Sequence, residues 1–346
     1  MNILIVKLSA IGDVVQSLPF LEALRKGFPR ANIDWLVEED SSEVIVGHPA
    51  VNRVILSRRK SWQGRLTRTA HLFSVFRELV GFFKGLRSVE YDLVIDLQGL
   101  LKSGVLVGLS RGKRKIGMSG SREGASLFLN ERPIPVDYGR QAIERYLRVA
   151  KTIGCDAHKA GGRIPYADAD RMSVERILDR YKIQNETLVA INPMARWPTK
   201  LWETERFALL ATRIREELGC EVVFTGSSGD NPVIRRIMGT MPVAPVNLAG
   251  KTSLKELAYF YTRCRLLVTT DTGPMHVAAA MGCPVVALFG PTAPWRTGPY
   301  GPGHAIIRTG IACSPCFSKR CDHMTCMKEI GIDQVFDAVK TTLRSK

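Results

Sequence analysis

The sequence contains no apolar run that approaches the roughly 20 residues a helix needs to cross a membrane. The apolar residues 1–6 are too few for the hydrophobic region of a secretory signal, and Lys7 and Asp13 follow soon after. We therefore expect a chain that stays in the cytoplasm. Eight cysteines without an export signal favour reduced thiols or a bound metal over disulfides.

Motifs typical of nucleic-acid binding are also missing, although basic residues are in excess. The formal net charge is +16, and residues 58–150 hold 18 Lys and Arg against 8 Asp and Glu, a balance of +10. Such a segment suits a nucleic acid, an anionic lipid, or a small molecule with phosphate or carboxylate groups. Because no nucleic-acid motif accompanies the charge, we rank nucleic acid last and predict that it is not a partner.

Strand-like and helix-like segments alternate along the chain, which predicts an α/β fold. Apolar runs typical of buried strands occur in the first half at residues 2–8, 33–37 and 93–97. A helical pattern at residues 14–28 separates the first two. Similar runs then restart in the second half, at residues 188–192, 221–225, 266–270 and 285–289.

The restart predicts two doubly wound domains, residues 1–165 and 166–346, joined by a Gly-rich linker at residues 157–166. Ligands of such sheets bind beyond the C-terminal ends of the strands, so we expect a cleft between the domains.

Polar residues follow two predicted strands of the first half. Ser9 and Asp13 lie on the loop after the first strand, and Asp13 could accept a proton from a substrate hydroxyl or cap the next helix. Asp96 and Gln98 follow another strand and could orient a hydroxyl-rich acceptor, or Asp96 could act as a cap. These residues, with Ser9, are our candidates for contact with an acceptor.

Cations of the basic segment form a second group of candidates. Guanidinium and ammonium groups that suit carboxylate or phosphate are supplied by Arg58, Arg59, Lys60 and Arg122, with Arg65 and Arg68 nearby. A solvated basic surface is the alternative. Residues 72–87 are amphipathic, aromatic and fringed with cations; we expect this helix to pack in the core, and a helix at a membrane interface is the alternative.

A turn in the second half has the pattern of an anion site. Asp271 to His276 follow the buried strand at residues 266–270 and begin a helix, whose unpaired N–H groups and dipole favour an anion. Thr272 adds a hydroxyl, and Gly273 lets a ligand approach the backbone. Lys200 follows another strand of the same predicted sheet. An ordinary connection capped by Asp271 is the alternative.

These motifs, taken in order, resemble glycosyltransferase family 9, the bacterial lipopolysaccharide heptosyltransferases. The resemblance covers residues 7–13, 34–39, 96–103, 200–202, 226–228, 271–276 and 289–292. It implies a GT-B fold, in which two Rossmann-like domains face each other across a cleft. It also implies an ADP-heptose donor and an inverting reaction that needs no cofactor.

The resemblance further assigns roles to individual residues. Asp13 would be the catalytic base, while Lys200, Asp271, Thr272, Gly273, His276 and Asp230 would bind the donor, with Asp230 on the ribose. Met194 and Ala195 depart from the hydroxyl residues that we expect in type I enzymes.

Within the family, residues 117–130 look like type I, which adds the first heptose to Kdo of lipid A. Type II, which adds the second heptose, is the alternative. A member of this family would bind ADP-heptose and Kdo-lipid A and would act peripherally at the anionic cytoplasmic face of the inner membrane. A nucleotide-binding module without catalysis is the alternative from a different class.

Four cysteines near the C-terminus have the spacing of a metal site. They are Cys313, Cys316, Cys321 and Cys326, and four thiolates at such spacing could hold a structural zinc ion. Reduced, packed thiols are the alternative.

Overall fold

The computed structural model describes residues 1–67, 72–157, 161–183 and 187–344. Arg68 and the middle of the predicted linker lie outside the described residues. The chain folds into two compact units, Met1–Pro165 and Tyr166–Lys346. Within the described ranges, no helix is both long enough and apolar enough to traverse a bilayer.

The first unit is built on a five-stranded parallel sheet with the order β3-β2-β1-β4-β5. Its strands are β1 (Asn2–Val6), β2 (Asn32–Glu38), β3 (Arg53–Ser57), β4 (Tyr91–Asp96) and β5 (Gly112–Gly117). The central strands β1, β2 and β4 are almost entirely buried, because helices cover both faces of a doubly wound sheet.

The helices of the first unit are α1 (Ile11–Val15), α2 (Leu18–Gly27), α3 (Arg59–Leu66), α4 (Leu72–Arg87), α5 (Leu101–Leu109) and α6 (Ala142–Thr152). The helix predicted at residues 14–28 is therefore two helices. Pro19 lies in the first turn of α2, where a missing N–H does no harm, and it favours a new helix start at that point.

The second unit has a six-stranded parallel sheet with the order β11-β10-β9-β6-β7-β8. Its strands are β6 (Leu188–Asn192), β7 (Glu221–Phe224), β8 (Val246–Asn247), β9 (Leu266–Thr270), β10 (Val285–Phe289) and β11 (Ala305–Arg308). Three of the four predicted strands, β6, β9 and β10, have the predicted bounds. The edge strands β8 and β11 were not predicted, because they are short and only partly buried.

The helices of the second unit are α7 (Asp168–Arg180), α8 (Thr204–Leu218), α9 (Asn231–Met238), α10 (Leu254–Arg263), α11 (Gly273–Ala280), α12 (Pro294–Thr297), α13 (Thr325–Lys328) and α14 (Ile332–Arg344). Helices α8, α9 and α14 pack on one side of the sheet in a continuous apolar core with residues of β6, β7, β9 and β10. The same core includes Cys326 and Met327 of α13.

Helix α4 corrects one expectation. Its aromatic face was expected in the core, but only Val75 and Leu86 are buried. Phe82 and Phe83 are partly buried against the core, while Phe73 and Phe76 are 79% and 65% exposed. The helix is amphipathic as predicted, but several of its apolar side chains face solvent.

Candidate functional site

Two loops meet at the C-terminal edge of the first sheet, after β1 and after β4. The backbone N–H groups of Leu8 and Ser9 both donate to Gln98 Oε1, each at 3.1 Å. The buried Lys7 ammonium donates to the carbonyl of Leu97 at 3.1 Å. Gln98 thus ties the two loops together, so its amide oxygen shapes the edge of the sheet.

Asp13 lies in the first turn of α1 and is half-buried. Its Oδ2 accepts the N–H of Ala10 at 3.2 Å, so the side chain does cap the helix as the alternative interpretation proposed. Burial opposes the charge of Lys7, but the nearby Tyr146, Asp13 and Asp96 outweigh it and raise the pKa of the lysine. Lys7 is therefore a cation in the neighbourhood of the Asp13 carboxylate.

Asp96 is buried, and its carboxylate is used by its own loop. Oδ1 accepts the N–H groups of Gln98 and Gly99 at 2.8 and 3.0 Å, and Oδ2 accepts the hydroxyl of Ser103 at 2.9 Å. Burial raises the pKa of Asp96, against the effect of these donors. Its observed contacts are those of a residue that holds the loop in shape; direct contact with an acceptor stays a prediction.

A buried carboxylate that sequence analysis did not select, Glu38 at the end of β2, organises the same edge. Its Oε1 accepts the ammonium of Lys102 at 2.9 Å and the guanidinium of Arg59 at 3.1 Å. Lys102 also donates to the hydroxyl of Ser9 at 2.6 Å. Burial alone would raise the pKa of Glu38, but Lys102 and Arg59 lower it. Glu38 Oε2 is buried without a hydrogen-bond partner among the described residues.

The predicted acceptor cations differ in their surroundings. Arg58 pairs with Glu39 at 2.9 Å, and Lys60 pairs with Asp40 at 2.5 Å, so with Arg59 each cation of this run already has a carboxylate partner. Arg122 is exposed, and no side-chain partner for it is seen in the described ranges. Its backbone N–H donates to Gly99 at 2.9 Å, which places Arg122 beside the loop after β4.

Lys200 and Asp271 lie together in the second unit. Lys200 follows β6 and donates to Asp271 Oδ2 at 2.6 Å, and the hydroxyl of Thr292, beyond β10, donates to the same oxygen at 2.7 Å. The indole of Trp197 lies 4.6 Å from the Lys200 ammonium and 5.1 Å from that of Lys319. Asp271 therefore joins loops from three strands and fixes the position of the lysine.

Helix α11 begins at Gly273 directly beside this ion pair. Thr272 has extended backbone angles and its side chain makes no capping hydrogen bond. Thr272, Gly273 and Pro274 are half-exposed, whereas His276 is buried one turn into the helix. A half-exposed helix start without a side-chain cap, next to a lysine, can bind an anion.

Two further features of the predicted donor region have local roles in the fold. Asp230 Oδ2 accepts both the N–H and the hydroxyl of Ser227 at 2.7 Å, in the turn after β7. The carbonyl of Met194 accepts the hydroxyl of Thr270 at 3.3 Å, so the backbone of this loop is tied to β9. The contact of Asp230 with a ribose stays a prediction.

The four cysteines of the predicted zinc site do not form one in this structure. Across the described residues, no three or more His, Cys, Asp or Glu side chains are grouped so that they could hold a metal ion. Cys313 and Cys316 are exposed and Cys326 is buried, where burial raises the pKa of its thiol. Cys316, Cys313 and Cys321 add to this rise in pKa, so the four thiols lie in one region of the unit. Burial of Cys326 fits the alternative of packed thiols and exposure of Cys313 and Cys316 does not, so the zinc ion stays a prediction.

Comparison with known proteins agrees with this architecture of two parallel-sheet domains. Residues 79–326 match the model of glycosyltransferase family 9 (heptosyltransferase). Lipopolysaccharide heptosyltransferase 1 of Pseudomonas aeruginosa is 31% identical over 337 residues, which cover 93% of this chain and 88% of that protein. The chain is a glycosyltransferase by fold and by sequence.

Solved structures give the same result. A glycosyl transferase family 9 structure from Veillonella parvula is similar with a TM-score of 0.85 and 27% identity, covering 100% of this chain and 98% of that one. The E. coli heptosyltransferase WaaC with ADP has a TM-score of 0.78 and 26% identity, covering 99% and 100%. The chain therefore belongs to glycosyltransferase family 9, the heptosyltransferase family. The expected GT-B fold is confirmed.

Proposed function

We propose that this chain is a type I heptosyltransferase, which transfers heptose from ADP-L-glycero-D-manno-heptose to Kdo of the lipopolysaccharide inner core. The observation that carries the proposal is the Lys200–Asp271 pair beside the start of α11. The similarity to a type 1 heptosyltransferase over 93% of the chain supports the type, although a type 3 relative from E. coli is 29% identical over 81% of it.

Lys200 and the N-terminus of α11 would bind the diphosphate of the donor. As the sugar leaves, the bond between its anomeric carbon and the β-phosphate oxygen breaks, and the electron pair stays on ADP. Charge then grows on the diphosphate, where the fixed ammonium and the helix N–H groups stabilise it. Asp271 does not contact phosphate in this scheme; it holds Lys200 in place through the 2.6 Å ion pair.

Asp13 would act as the base in the first unit. The acceptor hydroxyl oxygen forms the new bond to the anomeric carbon, on the side opposite the leaving diphosphate, and its proton passes to Asp13. Oδ2 of Asp13 is held by the Ala10 N–H, which orients the carboxylate. The cation of Lys7 lies in the neighbourhood of this carboxylate, which accepts the proton in this scheme.

The same proposal places the protein at the cytoplasmic face of the inner membrane, where it would act peripherally on its lipid-anchored acceptor. Neutralisation of the diphosphate by Lys200 and a helix start would need no metal cofactor. The bound partners would be ADP-heptose and Kdo-lipid A.

Incubation with ADP-heptose and Kdo-lipid A tests the reaction. We expect a mass gain of one heptose on the acceptor and stoichiometric release of ADP. An acceptor that already carries the first heptose distinguishes the types, because a type II enzyme would extend only that one. ADP binding without transfer to either acceptor would favour a non-catalytic nucleotide-binding module and refute the proposal.

Asp13→Asn should lower kcat by about 10²–10⁴-fold, because the amide keeps the shape of the side chain but cannot accept the proton. Asp337→Asn, an exposed carboxamide substitution on α14, is the matched control and should have wild-type kcat. ADP affinity should be unchanged in both variants. Turnover of Asp13→Asn within about threefold of the wild type would remove Asp13 as the base, because so small a loss is far below the factor of about 10² expected for a missing base.

A further inference from the structure

Helix α4 presents a solvent-facing stripe that changes character along its length. Phe73, Phe76 and Val80 are exposed and lie three and four residues apart, so they share one face of the helix. Further along the same face lie the exposed cations Lys84 and Arg87. Phenylalanines that are 79% and 65% exposed are costly in water, so a stripe of this kind indicates a surface that is covered in use.

Helix α5 presents a second apolar stripe. Leu101, Val105 and Leu109 are each more than a third exposed and lie four residues apart along the helix. A different face of α5, at Gly104 and Gly108, is covered by Phe128, since a Cβ atom at either glycine would lie within 2.8 Å of that ring. Leu101, Val105 and Leu109 therefore stay exposed to solvent, although Phe128 covers a neighbouring face of α5.

The two stripes belong to one surface. Side chains from both helices, among them Leu86 of α4 and Val107 of α5, pack in one core cluster over β1 and β4. The guanidinium of Arg87 donates to the carbonyl of Leu109 at 3.0 Å, so the two C-terminal ends adjoin. We call the outward residues of this pair the α4–α5 face: Phe73, Phe76, Val80, Leu101, Val105 and Leu109.

The apolar end of this face lies towards the acceptor side of the sheet. Helices that connect parallel strands begin near the C-terminal ends of those strands. Phe73 and Phe76 belong to the first half of α4, and Leu101 is directly followed by Lys102, which contacts Ser9 and Glu38. The face is therefore continuous with the candidate acceptor site.

Charge identifies the class of occupant. Helices α4 and α5 contain four cations, Arg77, Lys84, Arg87 and Lys102, and one acid, Glu78. Glu78 is neutralised by Arg65 at 2.6 Å, and that contact lowers the pKa of the carboxyl to about 2. Lys102 is paired with Glu38, whereas Arg77, Lys84 and Arg87 have no carboxylate partner among the described residues. Aromatic and aliphatic side chains bordered by such cations suit the interface of an anionic bilayer, where apolar groups enter the acyl region and cations meet the headgroups.

We propose that the α4–α5 face is the surface by which this chain binds an anionic phospholipid bilayer. The proposal rests on the proposed function, because a lipid-anchored acceptor is what would bring the enzyme to a membrane. Docking through this face would hold the edge that carries Ser9, Asp13 and Lys102 near the bilayer surface, where the sugar of such an acceptor lies.

Vesicle co-sedimentation of the full chain tests the proposal. Wild-type protein should pellet with vesicles of phosphatidylcholine and phosphatidylglycerol in equal parts, and much less with phosphatidylcholine alone. The double variant Phe73→Ser with Phe76→Ser should lose roughly tenfold or more in vesicle affinity. Met172→Ser with Leu209→Ser removes two comparably exposed apolar side chains of the second unit and is the matched control, expected to bind as wild type.

Two further measurements keep the outcomes distinct. Lys84→Glu should weaken binding to the anionic vesicles selectively, and the Phe73 and Phe76 variant should still transfer heptose to an acyl-free Kdo acceptor at the wild-type rate. If wild-type protein transfers heptose to no acceptor, the proposed function fails, whereas vesicle binding through this face is judged separately.

Three results would overturn the membrane proposal. The first is a wild-type chain that does not bind anionic vesicles. The second is a double phenylalanine variant that binds them as tightly as the matched control. The third is a wild-type chain that sediments as a dimer and becomes a monomer when Phe73 and Phe76 are replaced, because the face would then be an interface between copies.

Discussion

Each unit places a lysine, a buried carboxylate and a hydroxyl together at the C-terminal edge of its sheet, but the two arrangements differ. In the first unit the three groups are Lys102, Glu38 and Ser9; in the second they are Lys200, Asp271 and Thr292. Glu38 binds a second cation, Arg59, and keeps one oxygen unpartnered, whereas both hydrogen bonds of Asp271 Oδ2 come from one lysine and one hydroxyl.

The helix that starts beside each lysine differs as well. At the start of α5, the N–H of Leu100 donates to the Ser103 hydroxyl and that of Leu101 donates to the Glu123 carboxylate. At the start of α11, no side chain caps the helix. A helix start that protein groups already occupy is a poor anion site. The comparison supports the proposal that the second unit binds the diphosphate and that the first unit binds the uncharged hydroxyls of an acceptor.

Replacement of each lysine by alanine, in two separate variants, has the largest expected effect and tests this difference between the units. Lys200→Ala should cost about 2–4 kcal/mol of transition-state stabilisation, because a charge-assisted contact with the leaving diphosphate is lost. Lys102→Ala is its matched control and should leave ADP affinity unchanged. Steady-state kinetics and calorimetric ADP titration measure both. Equal loss of ADP affinity in the two variants would refute the assignment.

Glu38→Gln should lower the free energy of unfolding by about 2–3 kcal/mol, since Lys102 and Arg59 then lack their buried carboxylate. The pKa of Glu38 is lower in the folded chain than its ordinary value of 4.5. Its stabilisation is therefore complete above pH 4.5 and is lost as the pH falls through the folded pKa.

Urea denaturation of the wild type and of Glu38→Gln at several pH values measures both effects. The difference between the two proteins should shrink on acidification. Glu216→Gln, at an exposed position of α8, is the control and should change stability little. A difference that grows at low pH would show that the carboxylate is not held in its charged form.

Reversal of charge at Arg122 should raise the acceptor KM by about tenfold, because its exposed guanidinium can meet a carboxylate or phosphate of the acceptor. Arg58→Glu should have a smaller effect, since Arg58 is already paired with Glu39. The KM for ADP-heptose should not change in either variant. If Arg122→Glu instead abolished donor binding, the division of labour between the units would be wrong.

Chelation by EDTA should produce the smallest effect. Transfer should continue at the same initial rate, because Lys200 and the start of α11 are expected to neutralise the diphosphate without a divalent ion. Magnesium-dependent recovery of a lost rate would contradict this. A lower melting temperature in EDTA with an unchanged rate would instead indicate a structural metal, for which Cys313, Cys316, Cys321 and Cys326 are the candidates.

Sequence patterns located the centre of each sheet better than its edges. The buried strands β6, β9 and β10 are short runs of apolar residues and were predicted with their observed bounds. Strand β5 was missed because its sequence, Gly112–Gly117, contains three cations and faces solvent along much of its length. A central strand must be apolar on both faces, whereas an edge strand need not be.

In the candidate site, too, the residues that follow a local sequence pattern were predicted and the others were missed. The loops after β1, β6 and β9 were predicted because polar residues directly follow an apolar run, and the structure brings Lys200 and Asp271 into contact. Glu38 was not selected, because its role depends on Arg59 and Lys102, which are 21 and 64 residues away in the sequence. The pairing of Arg58 and Lys60 with Glu39 and Asp40 could not be predicted either, because these partners are 19 and 20 residues away in the sequence.

By itself, the sequence determined the α/β class, the two domains of parallel sheet and the family, because each depends on local apolar patterns and on motifs in a fixed order. Only the tertiary structure decided which charges neutralise each other and which apolar side chains stay in water. The amphipathic pattern of α4 is the same for a core helix and for an interfacial one, and packing alone leaves Phe73 and Phe76 exposed. Burial and ion pairing are contacts between distant segments, so no local pattern specifies them.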